Sequence, residues 1–197
     1  MLNPFYRNLP NIISFIRILM APVLLYLAIT QQPMAYIIVL IFTELTDVLD
    51  GYLARRLNLV SKLGAQLDSW GDFFVYITMA ISAWLLWPDI FLREYISVTI
   101  IVSCFTLPVL VGLIKFKTWT SYHTLSVKLA VAATITAYVL LFTGLLDWPF
   151  KVAVIFCLYA AIEQILITLI CNVERTVDVK SIWHALKEKK ARESTFK

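Results

Sequence analysis

Asp47, Asp50, Asp68 and Asp72 fall close together in a strongly apolar chain, in the string TDVLDGYLARRLNLVSKLGAQLDSWGD. A carboxylate at the centre of a bilayer costs roughly 2.5–3.5 kcal/mol on insertion scales, so acids kept there mark an ion, proton or substrate site. Four of them, without a matching internal lysine, call for bound cations. Positions three or four apart share a helix face. Asp47 and Asp50 form one such stripe, and Gly64, Asp68 and Asp72 form a second. A chain reversal between Arg55 and Asp68 brings the stripes together as an oxygen-rich cage, the preference of Mg²⁺ or Mn²⁺. Two cations about 3.5–4 Å apart in such a cage clamp a pyrophosphate and stabilise its displacement. A carboxylate not consumed by coordination accepts the proton of an incoming hydroxyl. Asp72, the deepest on its stripe, is the candidate base, because a carboxyl in an apolar setting holds a proton more readily. Gly51 and Ala54 let a ligand or a neighbouring backbone come close. Arg55 lies two turns beyond Asp47, where it snorkels toward the interface to meet a phosphate.

The elements that position these acids are six apolar stretches long enough for a hydrocarbon core of roughly 30 Å. They run from about Ile12 to Thr30 after a Pro10-Asn11 start signal, from Pro33 past Thr46 into the motif, and from Leu63 to Trp87 with a stop at Pro88. The remainder run from Tyr95 to Ile114 with a kink expected at Pro108, from Leu125 to Leu146, and from Phe150 to Cys171. The expected fold class is an all-α integral membrane protein with six transmembrane helices. The chain reads as a single membrane domain over residues 1–197. Its basic tail, residues 175–197, contains Ile182, Trp183 and Leu186 among lysines and arginines, the pattern of a short amphipathic helix on a membrane surface.

Composition agrees. Of 197 residues 60% are apolar and only 15% charged, with a mean hydropathy of +0.81; a soluble domain carries about 25% charged residues. Fourteen Lys and Arg fall at one set of segment ends, whereas only Arg93 and Lys151 fall at the other. The positive-inside rule then puts both termini and the acidic motif on the cytoplasmic side. The first apolar run lacks a cleavage site and is read as a retained helix. Basic residues after 179 are expected to attract anionic lipid, with no nucleic acid partner. Cys104, Cys157 and Cys171 have no metal-type spacing and read as reduced, inert apolar residues. No second copy of the acidic pattern appears, which disfavours transporters built from matched halves.

The spacing Asp47-x2-Asp50-Gly51-x2-Ala54-Arg55-x8-Gly64-x3-Asp68-x3-Asp72 resembles the signature of the CDP-alcohol phosphatidyltransferase family at all eight fixed positions. The resemblance implies transfer of a phosphatidyl group from CDP-diacylglycerol to an alcohol, with release of CMP, in phospholipid biosynthesis. It implies that Asp47, Asp50, Asp68 and Asp72 hold two metal ions, Mg²⁺ or Mn²⁺, with Asp72 also the catalytic base. It further implies that Gly51 and Arg55 meet the phosphates and cytidine of CDP-diacylglycerol, that Ser61 helps bind the nucleotide, and that Gly64 leaves room for the pyrimidine. A homodimer in a bacterial inner membrane follows from the same likeness.

The opening NLPNIISFIRILMAPVLL, with Arg17 inside the first span, and the segment DVLDGYLARRLN resemble phosphatidylglycerophosphate synthases, so glycerol 3-phosphate is the favoured acceptor. That subfamily usually continues Asp-Pro-x-x-Asp-Lys, whereas this chain has Asp68-Ser69-Trp70-Gly71-Asp72-Phe73. SKLGAQLDS is closer to phosphatidylserine synthases, and serine, inositol and inositol phosphate stay open. A phosphorylated acceptor needs further cations; Lys115, Lys117, His123, Lys128 and Arg175 qualify by position, and Lys128, at the start of the fifth span, is the first choice. Among the remaining polar groups, Arg17 is expected to pair with Glu44 or another acid in a structural role. Glu163 is expected to be buried at a helix contact. The rival from another class is a cation or proton transporter using the same acids.

Overall fold

The computed structural model describes the backbone of residues 4–56, 62–117 and 124–170; side chains are described for 15–46, 49, 70–117 and 124–170. Six α-helices account for nearly all of it: α1 (Pro4–Ile29), α2 (Pro33–Arg56), α3 (Lys62–Leu86), α4 (Pro88–Phe116), α5 (Leu125–Phe142) and α6 (Trp148–Ile170). The described residues contain no strand. Three helices, α4, α5 and α6, are long and apolar enough to cross a membrane; α1, α2 and α3 contain the shorter apolar stretches Phe15–Ile29, Pro33–Thr46 and Trp70–Leu86.

Boundaries differ from the sequence reading where proline and glycine decide them. α1 starts at Pro4 rather than near Ile12, and α4 starts at Pro88 rather than near Tyr95. Proline lacks an N–H, and the first turn of a helix has N–H groups without intrahelical partners, so both prolines open helices. Pro108 lies inside a helix that continues across it. α5 stops at Phe142, short of Leu146, because Gly144 turns left-handed at φ 75° and its N–H donates to Leu141 O. The tail and Cys171 lie outside the described residues.

The chain divides into two compact units, Met1–Glu94 and Tyr95–Lys197. In the first, α1 packs against both α2 and α3. Its core joins Leu24 and Ala28 of α1, Tyr36 and Leu40 of α2, and Val75 and Ala83 of α3. Alanines on α1 and α3 allow close approach of the two helices, which in an apolar solvent supplies packing that exclusion of water does not. The α1–α2 turn is closed by Gln31 at φ 54°, whose side chain donates to Leu85 O at 3.0 Å and so ties the turn to the end of α3.

In the second unit α5 packs on α6 along a seam of small residues. Ala130, Thr134, Ala137 and Leu141 recur at spacings of four and three, facing Ala153 and Cys157 of α6; Thr134 Oγ1 lies 3.1 Å from Cys157 Sγ. Cys104 and Cys157 are buried free thiols, as expected. Among the described residues large apolar side chains are exposed on each helix, including Ile38, Phe42, Ile114 and Ile155. Contiguous exposed apolar surface of this kind fits lipid rather than water.

Candidate active site

Two helices carry the motif. α2 is continuous to Arg56, so Asp47, Asp50, Gly51, Ala54 and Arg55 share one helix, and α3 begins at Lys62, so Gly64, Asp68 and Asp72 lie in its first turns. At about 3.6 residues per turn the register puts Asp50 about 60° from Asp47 and Asp72 about 40° from Asp68 around their axes. Each helix thus places its two acids on one face, as the spacing predicts. Ser61 lies outside the described residues, as do the side chains of Asp47, Asp50, Gly51, Arg55, Gly64 and Asp68. Among the described residues no group of three His, Cys, Asp or Glu gathers as a metal site. Of the four motif acids, those residues include only the Asp72 side chain.

Asp72 is the member whose surroundings are visible. Its Oδ1 accepts from Arg17 Nη2 of α1 at 3.1 Å; the Arg17 side chain is 2% exposed and that of Asp72 37%. Gly71 makes this approach possible. A Cβ at that position would lie 2.8 Å from Arg17 Nε and 3.0 Å from Nη2, so the guanidinium rests against the backbone just before Asp72. Trp70 then turns outward and stacks on Phe74, with ring centroids 5.8 Å apart.

Two sequence expectations meet this geometry. The acids were read as calling for bound cations; one of them also meets a protein cation, Arg17, which was expected to pair with Glu44 or another acid. Lysine was the cation noted as missing, and the arginine, on another helix, is brought in by the α1–α3 packing. Asp72 was expected in an apolar setting; its side chain is 37% exposed and its carboxylate meets a guanidinium. Arg17 resolves as a partner of Asp72, while Glu44, half-buried on α2, lies within reach of the same guanidinium's charge. Gly71 was missed. Its signal was a residue without a side chain placed directly before a motif acid and after a tryptophan.

The cations considered for an acceptor phosphate separate in the second unit. Lys115 Nζ donates to Thr168 O and Leu169 O, both at 2.9 Å, and so caps the carbonyls of the last turn of α6. Lys117 is exposed at φ 55°. Lys128 is exposed one turn into α5 rather than turned inward, because the buried face of that helix runs through Ala130 and Thr134. His123 and Arg175 lie outside the described residues. Glu163 is buried at a helix contact as expected, and its partner is Ser126, whose Oγ donates to Glu163 Oε2. Ser126 in turn lies 2.8 Å from the hydroxyl of Thr124, the N-cap of α5.

Comparisons with known proteins address the chain as a whole. A CDP-diacylglycerol–glycerol-3-phosphate 3-phosphatidyltransferase of Aquifex aeolicus is 34% identical over 65 residues, 33% of this chain and 36% of that protein. One from Pseudomonas fluorescens is 44% identical over 68 residues, 33% of this chain and 35% of the relative. A cardiolipin synthase (CMP-forming)/mitochondrial hydrolase fusion protein of Schizosaccharomyces pombe is 39% identical over 65 residues, 33% of this chain and 11% of the fusion. The matched stretch spans little more than a third of these relatives at most. No solved structure matches. The profile of the CDP-alcohol phosphatidyltransferase family matches residues 7–178, which takes in the whole acidic motif, Arg17 and all six helices but the first turn of α1. With its eight signature positions intact on two helices, this chain belongs to the CDP-alcohol phosphatidyltransferase family.

Proposed function

We propose that the protein transfers a phosphatidyl group from CDP-diacylglycerol to glycerol 3-phosphate, releasing CMP. The observation that carries this reading is the complete set Asp47, Asp50, Asp68 and Asp72 in helical register within a chain of this family. Two of the relatives described above bear the name of that reaction. Serine, inositol and inositol phosphate are the other acceptors to be tested.

The donor set fits Mg²⁺ or Mn²⁺, since carboxylate oxygens are the ligands both prefer and no soft ligand belongs to the motif. Bound divalent cations would neutralise charge on the pyrophosphate of the donor. Gly51, with no side chain, leaves room for the donor's phosphates, which Arg55 engages. Ser61 and Gly64 serve the nucleotide end. Asp72 accepts the proton of the attacking hydroxyl, and Lys128 attracts the acceptor phosphate from its exposed position.

All six helices cross the membrane in this reading, with both termini and the motif on the cytoplasmic side of a bacterial inner membrane. One domain over residues 1–197, a homodimer, and a basic tail lying on anionic lipid complete it. The family match runs across both compact units, which supports a single functional domain.

The test incubates purified protein with labelled CDP-diacylglycerol and, separately, glycerol 3-phosphate, serine, inositol and inositol phosphate. Expected is CMP release with glycerol 3-phosphate, abolished by EDTA or by Asp68→Asn and restored in the wild type by Mg²⁺ or Mn²⁺. Release with serine alone reassigns the acceptor. No release with any acceptor, alongside metal-dependent ion flux in sealed vesicles, replaces the enzyme by a transporter.

A further inference from the structure

The contact between Arg17 and Asp72 joins a motif acid to a residue of α1 that the eight signature positions do not include. Arg17 is almost wholly buried, with Nη2 3.1 Å from Asp72 Oδ1. The backbone of Gly71 forms one wall of its site: a Cβ there would meet Nε at 2.8 Å, Nη2 at 3.0 Å and Cζ at 3.3 Å. The guanidinium is therefore held by shape as well as by charge. A lysine would keep the charge but lose the planar fork that fits this slot.

A buried ion pair is a poor device for merely closing a helix seam, since apolar side chains of similar volume do that at least as well. This pair is also asymmetric. The arginine is enclosed, whereas 37% of the Asp72 side chain stays exposed. One end of the pair is anchored in the fold and the other is presented outward, the arrangement by which a supporting group orients a working carboxylate. We propose that Arg17 is a positioning residue that fixes the orientation of the Asp72 carboxylate for the transfer reaction, and that residue 71 is glycine because any side chain there displaces the guanidinium. The inference rests on the phosphatidyl-transfer reading for the reaction it serves, but the pair itself does not.

The experiment uses the full-length protein and three single variants, Arg17→Gln, Arg17→Lys and Gly71→Ala, plus Asp72→Asn with and without Arg17→Gln. In steady-state assays Arg17→Gln lowers kcat for CMP release about 10–100-fold, the usual cost of losing a group that orients a working ligand, with KM for CDP-diacylglycerol unchanged. Arg17→Lys recovers part of the loss. Gly71→Ala, which keeps the charge but crowds it, falls between wild type and Arg17→Gln in kcat. Thermal unfolding in metal-free buffer supplies the second readout: Arg17→Gln and Asp72→Asn each lower the midpoint, and the double variant loses less than both together.

A wild-type kcat in folded Arg17→Gln or Gly71→Ala protein overturns the proposal. So does strict additivity of the two midpoint shifts. Should Arg17→Gln fail to fold, Gly71→Ala decides alone. If the wild type releases no CMP with any acceptor, the phosphatidyl-transfer reading fails and the positioning role falls with it; the thermal coupling still reports whether the pair exists, so the two failures stay distinguishable.

Discussion

Lys128 was preferred to Lys115 for an acceptor phosphate by its position at the start of the fifth helix, and their surroundings now separate the two. Lys115 is engaged by two α6 carbonyls, whereas the Lys128 side chain shows no hydrogen bond or ion pair among the described residues and is exposed. A charge-assisted hydrogen bond is worth about 1.5–3 kcal/mol. Lys128→Ala should therefore raise KM for glycerol 3-phosphate about 10–100-fold while leaving CDP-diacylglycerol binding unchanged, as measured by saturation in each substrate. Equal losses for both substrates would count against an acceptor role. The same contrast of partner and setting applies to Asp72. Its type and spacing were enough to name it, and its neighbours Arg17 and Gly71 explain why this chain tolerates a charged arginine inside its first helix.

Helix ends, more than helix interiors, separate this structure from a reading of its pattern. α1 ends with Gln31 N donating to Ala28 O and Gln32 N to Leu27 O, the paired bonds of a Schellman cap, and α5 ends with the same arrangement from Gly144 and Leu145. Gln31 adopts φ 54° without being glycine, and its side-chain bond to Leu85 O offsets the strain. Gly144 adopts φ 75° with nothing within 4 Å of the position its Cβ would take. Alanine there meets no clash and bears only the left-handed backbone cost, about 1 kcal/mol. Gly144→Ala is thus expected to lower unfolding stability in detergent by about that amount, read from denaturant titration, with CMP release per folded molecule unaltered. A larger loss would show that the α5–α6 connection makes contacts beyond its cap.

For the whole molecule the question is which face of the bilayer holds the motif. α4 runs from Pro88 to Phe116, about 44 Å at about 1.5 Å per residue, which exceeds a hydrocarbon core of roughly 30 Å. With α4 spanning the bilayer as proposed, Arg93 and Lys117, both exposed, would fall on opposite faces. With a membrane-impermeant thiol reagent on sealed right-side-out vesicles, Arg93→Cys should label at once. Lys117→Cys should label only after permeabilisation. The reverse pattern would turn the positive-inside assignment over and place the acids away from cytoplasmic nucleotide.

Sequence alone determined the helical class, the apolar stretches and the acidic faces, because each depends on composition or on a period of about 3.6 residues that neighbours along the chain establish between themselves. It located the motif acids on two helices and the family to which they point. Only the tertiary structure decided that Arg17 meets Asp72 across α1 and α3, that Gly71 makes room for it, that Lys115 closes α6, and that Ser126 satisfies Glu163. Those pairings join residues 37 to 55 positions apart. No local period encodes them; they follow from which helix faces pack, and a buried charge or carbonyl then takes whatever partner that packing brings within reach.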